Sequence, residues 1–215
     1  GAGTMGGGIA MNFANAGIPV TIVEVKQDAL DRGLKVVRGN YERSAKNGRF
    51  PESEVDVRMG RITGSLELES LADCDMVIEA VFENRELKAK VTQEAEGMLA
   101  PGGVFASNTS TLPITGLARA SRDASKFIGI HFFSPVDKMK LLEIVVGKQT
   151  SDEALAKAID VAVQIGKTPI VVNDSRGFYT SRVVSTYIAE GHLMLTEGIS
   201  AAMIENAARM AGMPV

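Results

Sequence analysis

The sequence predicts an α/β protein with a mostly parallel β-sheet, followed by an all-helical part. Short apolar runs of strand length alternate with amphipathic helical stretches. The first of these strands is apolar on both faces, which is typical of a sheet covered by helices on each side. The alternation stops after Val172, and only helical patterns follow. We therefore expect two domains, residues 1–174 with the sheet and residues 175–215 as the start of a helical domain.

The elements follow one another in a regular order. After a glycine-rich turn, small residues predict a helix through about Ala16, and residues 20–25 then form a nearly all-apolar strand. Five further short apolar runs predict strands at residues 75–81, 103–106, 127–133, 140–146 and 168–172. Amphipathic stretches predict helices at residues 27–47, 85–99 and 151–165, and Pro113 is expected to begin another. From Arg176 onward the pattern predicts helix broken at Gly191, Gly198 and Gly212.

Composition excludes several classes of function. The 215 residues are 45% hydrophobic, and a chain of this length buries about 70% of its unfolded surface, so its core needs no disulfide or metal. One cysteine and two histidines are too few for a disulfide framework or a protein-only zinc site, and we predict no metal site. The net charge of -3 argues against a nucleic-acid surface. No apolar run approaches the roughly 18 residues that a membrane span requires.

The ends of the sequence indicate an excised segment. The chain begins with Gly1 rather than Met, and we expect a strand before it and more helix after residue 215. Native targeting signals are therefore not readable. The sequence is compatible with two compartments, the bacterial cytoplasm and an organelle.

The opening glycines predict a dinucleotide site. Gly1, Gly3 and Gly6 fit G-x-G-x-x-G, which gives a tight turn, close approach of the backbone to a pyrophosphate, and a helix N-terminus facing the anion. Glu24 follows at the end of the next strand, 18 residues after Gly6, where a carboxylate accepts hydrogen bonds from ribose hydroxyls and repels a 2′-phosphate. This unit predicts a Rossmann-type sheet that binds NAD rather than NADP. The alternative is a glycine-rich loop without a ligand.

A histidine and a glutamate lie on two neighbouring apolar strands. His131 is within F-I-G-I-H-F-F and Glu143 within K-L-L-E-I-V-V, and an ionised carboxylate there needs a partner. If the strands form a hairpin centred on Asp137, the two residues are each six positions from its centre and lie opposite one another. A carboxylate beside an imidazole orients it for proton transfer near neutral pH. The alternative is a structural ion pair. The hydroxyl-rich loop at residues 107–111 favours a catalytic pair over that alternative.

Several segments together resemble the 3-hydroxyacyl-CoA dehydrogenase family. They are G-A-G-T-M-G-G-G-I-A, E-A-V-F-E-N-R-E-L-K, S-N-T-S-T-L-P-I, H-F-F-S-P and M-K-L-L-E-I-V, and their order and spacing also match. The resemblance implies that His131 is the general acid/base, that Glu143 orients it, and that Ser110 contacts substrate and cofactor. It also implies a substrate contact at Ser181, where the family has Asn. The implied NAD contacts are Gly1, Gly3, Thr4, Met5, Gly6, Glu24, Val81, Glu83, Lys88, Asn108, Ser110 and Ser134.

Two of these positions depart from the family pattern. Ser134 stands where the family often has Asn near the nicotinamide, and Ser181 stands in G-F-Y-T-S-R where the family has G-F-x-x-N-R. A hydroxyl is shorter than an amide and offers a different set of donors and acceptors. Ser134 can still donate and accept one hydrogen bond, whereas the change at Ser181 bears on substrate affinity and acyl-length preference more than on hydride transfer.

The resemblance implies NAD-dependent oxidation of (3S)-3-hydroxyacyl-CoA to 3-oxoacyl-CoA in fatty-acid β-oxidation. The acyl-CoA substrate is the expected partner, and the helical part is expected to support a homodimer or a larger multifunctional complex. Two alternatives stay open at this point. One is a non-catalytic NAD-binding or structural protein on the same scaffold, and the other is a dehydrogenase of free 3-hydroxy acids.

Overall fold

The computed structural model describes residues 1–213 and alternates strands with helices as predicted. Its strands are β1 (Val20–Val23), β2 (Ile62–Ser65), β3 (Met76–Glu79), β4 (Val104–Ser107), β5 (Phe127–Phe132), β6 (Leu141–Val146) and β7 (Thr168–Asn173). Its helices are α1 (Thr4–Asn15), α2 (Gln27–Lys46), α3 (Glu54–Met59), α4 (Arg85–Ala95), α5 (Ile114–Leu117), α6 (Asp152–Gln164), α7 (Thr180–Thr196) and α8 (Ala201–Met210). Short 3₁₀ turns join some of them.

Five strands form the main sheet in the order β3-β4-β5-β6-β7. Neighbouring strands are parallel except β5 and β6, which form an antiparallel pair. The carboxyl ends of β3, β4 and β5 therefore meet at one edge, where open α/β sheets bind ligands. This is the Rossmann-like, mostly parallel sheet that the sequence predicts.

Strands β1 and β2 form a separate parallel pair. Gly1 lies between the two sheets: a Cβ added to it would be 3.4 Å from Oε1 of Glu24, just after β1, and 4.0 Å from the carbonyl of Ala80, just after β3. Within residues 1–213, no strand pairs with both β1 and β3. The seven strands of this part of the chain therefore form two sheets rather than one.

The core has one cluster on each face of the main sheet and a third around the smaller one. Alternate residues of a strand point to opposite faces, so Ile130 packs with α1 and α6, whereas Phe105 and Phe127 pack towards α4 and α5. Helix α1 also packs with α2 and β1, where Ala14 and Val37 are buried. Helix α1 thus connects the two sheets at the point where the glycine-rich turn begins.

Two features of the fold differ from the sequence prediction. The prediction omitted β2 and α3, which are four and six residues long and bury few side chains. The predicted break at Gly191 is wrong, because α7 runs through it; a Cβ there would be 3.9 Å from Ile204, so the glycine lies where α8 approaches. Gly198 and Gly212 do follow the ends of α7 and α8, and their φ angles of 89° and 72° are readily adopted by glycine.

Helices α7 and α8 contact each other and contain no fully buried residue. Apolar side chains on α7 are exposed, among them Val183, Val184, Ile188 and Leu193. Among the described helices, none has both the length and the apolar character needed to cross a membrane.

Candidate active site

His131 and Glu143 are paired across β5 and β6. The antiparallel register places them directly opposite, which confirms the geometry predicted from the hairpin. His131 Nδ1 lies 2.7 Å from Glu143 Oε2, and the two residues are 7% and 0% exposed. Because Nδ1 is occupied by the carboxylate, Nε2 is the ring nitrogen left to exchange a proton with a bound molecule.

Glu143 is held by α7 as well as by His131. Its Oε1 accepts hydrogen bonds from the backbone N–H groups of Tyr179 and Thr180 at 3.1 and 2.8 Å, and its Oε2 accepts one from the Thr180 hydroxyl at 2.8 Å. Burial alone would raise the pKa of the Glu143 carboxyl, but the hydrogen bonds from His131, Thr180 and Tyr179 outweigh it and hold the pKa below its ordinary value. The carboxylate is therefore ionised beside the imidazole at neutral pH.

Aromatic rings enclose the imidazole. The Phe133 ring centroid is 4.5 Å from that of His131, and the Phe178 centroid is 5.9 Å away. Phe178 is 2% exposed and has a φ of 48°, an unusual backbone angle for a non-glycine residue. The turn before α7 thus presents Phe178 to the histidine and, immediately afterwards, Thr180 to the glutamate.

The hydroxyl-rich loop after β4 reaches the same region. Asn108 Oδ1 accepts a hydrogen bond of 2.9 Å from the backbone N–H of Phe132, the residue next to His131. Ser110 is half-buried, its backbone N–H donates to Glu83 Oε1 at 3.0 Å, and its hydroxyl has no hydrogen-bond partner within residues 1–213. That hydroxyl is therefore available to a ligand.

Glu83 organises this loop. Its Oε1 accepts hydrogen bonds from the Thr109 hydroxyl at 2.5 Å, the Ser110 N–H at 3.0 Å, and the Thr111 N–H and hydroxyl at 3.2 and 3.1 Å. Burial alone would raise the pKa of Glu83, but Thr109, the Lys88 ammonium and the loop amides hold it below its ordinary value. Glu83 therefore acts as a charged anchor for three consecutive residues.

Lys88 lies beneath that anchor rather than on the surface. It is 2% exposed, and its Nζ is 2.9 Å from both carboxylate oxygens of Glu79 and 3.3 Å from Glu83 Oε2. Ser107 also donates a hydrogen bond to Glu79. Lys88, for which the family resemblance implies a cofactor contact, is thus buried and paired with Glu83 and Glu79.

Two glycines at or beside the opening turn, Gly6 and Gly33, have no space for a Cβ, whereas a Cβ at Gly3 would meet nothing within 4 Å. A Cβ at Gly6 would lie 1.9 Å from the carbonyl oxygen of Gly1, and one at Gly33 would lie 2.4 Å from Ala2. Glu24 stands at this turn, where its Oε1 accepts a hydrogen bond of 2.8 Å from the N–H of Ala2. Helix α1 begins at Thr4, so its first N–H groups face the turn.

A cleft of about 430 Å³ runs from this turn along α1 and α2 to the loop after β5. Gly3, Thr4, Glu24 and Ser134 line it, and Ser134 is three residues beyond His131. The glycines, the helix N-terminus and the carboxylate are the groups that a pyrophosphate and a ribose require, so the residues present fit a dinucleotide.

The remaining predicted positions are placed as follows. Met5 and Val81 are half-buried, Ser134 is exposed, and Ser181 is half-buried in the first turn of α7.

Sequence reasoning missed Thr180 and Phe178, although both stand in the G-F-Y-T-S-R segment that contains Ser181. Among residues 1–213, no cluster of three or more His, Cys, Asp or Glu side chains could hold a metal ion.

Comparison with known proteins gives consistent likenesses. Residues 1–175 match the family described as "3-hydroxyacyl-CoA dehydrogenase, NAD binding domain". The chain is 41% identical over 198 residues to a fatty acid oxidation complex subunit alpha from Colwellia psychrerythraea, covering 92% of this chain and 27% of that protein. It is 39% identical over 200 residues to a probable 3-hydroxybutyryl-CoA dehydrogenase from Deinococcus radiodurans, covering 93% of this chain and 72% of that protein.

A solved structure gives the same likeness in three dimensions. The (S)-3-hydroxybutyryl-CoA dehydrogenase from Ralstonia eutropha superposes with a TM-score of 0.90 at 38% identity, covering 93% of this chain and 71% of that one. The chain thus spans about a quarter of the length of the fatty acid oxidation subunit and about 70% of the two shorter relatives.

Proposed function

Because the chain belongs to the 3-hydroxyacyl-CoA dehydrogenase family, with the family's NAD-binding domain at residues 1–175, we propose that it oxidises (3S)-3-hydroxyacyl-CoA to 3-oxoacyl-CoA. The observation that carries this proposal is the 2.7 Å pair of His131 and Glu143, close in sequence to the cleft-lining Ser134. Relatives named for 3-hydroxybutyryl-CoA and for a fatty acid oxidation complex support a CoA thioester as substrate and β-oxidation as its setting.

In this mechanism, neutral His131 accepts the proton of the substrate's 3-hydroxyl at Nε2. NAD, when bound, supplies the acceptor for the hydride that leaves C3. The Glu143 carboxylate stabilises the imidazolium that forms and holds the ring by its Nδ1. The reverse reaction uses the same groups in opposite roles.

The other proposed contacts have separate tasks. The glycine-rich turn, with Gly1, Gly3, Thr4, Met5 and Gly6, would hold the pyrophosphate against the α1 N-terminus, and Glu24 would accept hydrogen bonds from ribose hydroxyls. The free hydroxyl of Ser110 would donate to the oxygen at C3. We propose direct or supporting contacts to the cofactor for Val81, Glu83, Lys88, Asn108 and Ser134, and a substrate contact for Ser181.

The experiment is the reduction of acetoacetyl-CoA by NADH, followed at 340 nm. We expect His131→Ala to lower kcat by about 10²- to 10⁴-fold with little change in the Kd for NADH, because general acid/base catalysis typically contributes that much. His192→Ala, at an exposed position on α7, is the matched control. Equal turnover of His131→Ala and wild type would overturn the proposal.

The same assay distinguishes the alternatives. A protein that binds NADH but turns over neither acetoacetyl-CoA nor acetoacetate is a binding or structural protein. Faster turnover of the free acid than of the thioester would replace the CoA thioester with a small 3-hydroxy acid as the substrate.

We also propose that the helical part makes contacts between chains or domains in the whole protein. The exposed apolar side chains of α7, among them Val183, Val184 and Leu193, support either a homodimer or a larger multifunctional complex. Light scattering of the full-length protein distinguishes the two, and a monomer would contradict the dimer.

A further inference from the structure

We propose that Thr180 is a positioning residue of this reaction, acting on His131 through the carboxylate of Glu143. The inference rests on the proposed function, because it requires His131 to be the general acid/base. Its basis is one shared atom: Glu143 Oε2 lies 2.7 Å from His131 Nδ1 and accepts a hydrogen bond of 2.8 Å from the Thr180 hydroxyl.

The hydroxyl does more than attach α7 to the sheet. That attachment is already made by the backbone N–H groups of Tyr179 and Thr180, which both donate to the other oxygen, Oε1. Glu143 therefore accepts the free N–H groups at the start of α7 in the way an N-cap side chain does, although it comes from β6. The Thr180 hydroxyl is an additional donor, directed at the oxygen that the imidazole also uses.

Two consequences follow for the imidazole. The donors on both oxygens fix the plane of the carboxylate, so Oε2 faces Nδ1 and the ring is held in one orientation. The Thr180 hydroxyl also shares the charge of Oε2, which weakens the stabilisation that this oxygen gives to the imidazolium. Thr180 thus adjusts how strongly Glu143 stabilises the charged ring.

The other ionisable groups nearby are engaged or directed elsewhere. On the segment before α7, the Asp174 carboxylate accepts hydrogen bonds of 2.7 Å from the N–H groups of Ile114 and Thr115. The Arg182 guanidinium is exposed and donates to Ser175, and Tyr179 is 60% exposed. On β7, the residue paired with Glu143 is Ile170, which has no charge. Within residues 1–213, His131 and Thr180 are therefore the side chains that hydrogen-bond to Glu143.

The test compares Thr180→Val, which keeps the shape and loses the hydroxyl, with Thr180→Ser, which keeps the hydroxyl. In the full-length enzyme, kcat/KM for oxidation of 3-hydroxybutyryl-CoA is measured against pH. Without the hydroxyl, Glu143 stabilises the imidazolium more strongly, so the enzyme should need a higher pH to reach full activity. We expect the acidic limb of the profile to move up by roughly half a unit to one unit in Thr180→Val and to stay at the wild-type position in Thr180→Ser.

Thr186→Val, in the same helix, is the matched control and should leave the profile unchanged, since the Thr186 hydroxyl donates to the Val183 carbonyl. A lowered Tm with an unmoved profile in Thr180→Val would overturn the inference and leave Thr180 a structural role only. Thr180→Ala also lacks the hydroxyl, and it replaces Thr180→Val if the latter does not fold. Failure of the proposed function looks different, because His131→Ala would then match wild type in turnover.

Discussion

Glu143 is a completely buried carboxylate, and its surroundings explain why that is tolerated. An ionised group without partners in an apolar sheet would be strongly destabilising. Here the imidazole of His131, two backbone N–H groups and the Thr180 hydroxyl together surround both oxygens. Residues from β5 and α7, far apart in sequence, thus converge on a single charge.

Replacing this carboxylate with an amide should damage both activity and stability. In Glu143→Gln the amide NH₂ must face one of the donor groups, so hydrogen bonds are lost and the imidazolium loses its counter-charge. We expect kcat to fall by about 10²- to 10⁴-fold and the free energy of unfolding to fall by about 1–3 kcal/mol. Steady-state kinetics and urea unfolding at pH 7 measure the two effects. Wild-type kcat in the variant would contradict the role assigned to Glu143.

The stability effect has a defined pH dependence. The pKa of Glu143 is lower in the folded protein than its ordinary value of 4.5, so its contribution to stability is fully present above that pH. It is lost as the pH falls through the folded-state pKa. The stability difference between wild type and Glu143→Gln should therefore shrink as the pH falls below 4.5. A difference that keeps growing below pH 4.5 would mean that the carboxylate is not held in its charged form.

At the scale of elements, the loop after β4 depends on a charge carried by the segment between β3 and α4. Glu83 accepts hydrogen bonds from Thr109, Ser110 and Thr111, and Lys88 supports it from below. Lys88 is also bound to Glu79, so the buried cation keeps a partner if Glu83 is removed. The position of the Ser110 hydroxyl can therefore be disturbed without leaving an unpaired buried charge.

This arrangement predicts the effect of Glu83→Ala. Four hydrogen bonds to the loop are lost, and Ser110 is no longer held towards the site. We expect kcat/KM for acetoacetyl-CoA to fall by about tenfold or more, because small displacements of a positioning group are costly to catalysis. Glu94→Ala, on the exposed face of α4, is the control and should retain wild-type kinetics. An unchanged kcat/KM in Glu83→Ala would mean that the position of this loop does not affect the reaction.

Local patterns predicted most of these elements, and non-local contacts account for what was missed. Six of the seven strands are apolar runs and were predicted; β2 was not, since only Ile62 is buried in its I-T-G-S segment. Counting from Asp137 predicted the opposition of His131 and Glu143, because hairpin register follows from sequence distance. Thr180 is 37 residues from Glu143, and its role depends on where the start of α7 docks, which no local pattern encodes.

At the scale of the whole molecule, we propose that residues 1–174 and 175–215 are two domains. The backbone reaches α7 through Asp174, which caps α5, and through the turn at Phe178 beside His131. The start of the helical part is thus attached at the proposed dyad, whereas the rest of α7 and α8 exposes apolar side chains.

Within residues 1–213, β1 and β3 belong to separate sheets, and each has one paired neighbour, β2 and β4 respectively. A Cβ added to Gly1 would be 3.4 Å from Glu24 Oε1 and 4.0 Å from the Ala80 carbonyl, so Gly1 lies near the residues that follow both strands. The backbone at Gly1 thus lies near the ends of both strands, and hydrogen-bonded strands are about 4.8 Å apart. A strand leading into Gly1 would pair with both neighbours and join the sheets.

We therefore expect that extending the chain before Gly1 with five or six β-branched apolar residues will stabilise it. The added strand would satisfy the free edges of β1 and β3 and bury apolar surface against α1. A gain of about 2 kcal/mol would raise Tm by about 4–8 °C in a chain of this size, which calorimetry detects. The control extension has the same length with two central prolines, which cannot donate to a ladder and should give no gain. Equal Tm values for both extensions would mean that β1 and β3 do not accept a strand between them, and slowed exchange of the β1 and β3 amides in the first extension alone would locate the new pairing.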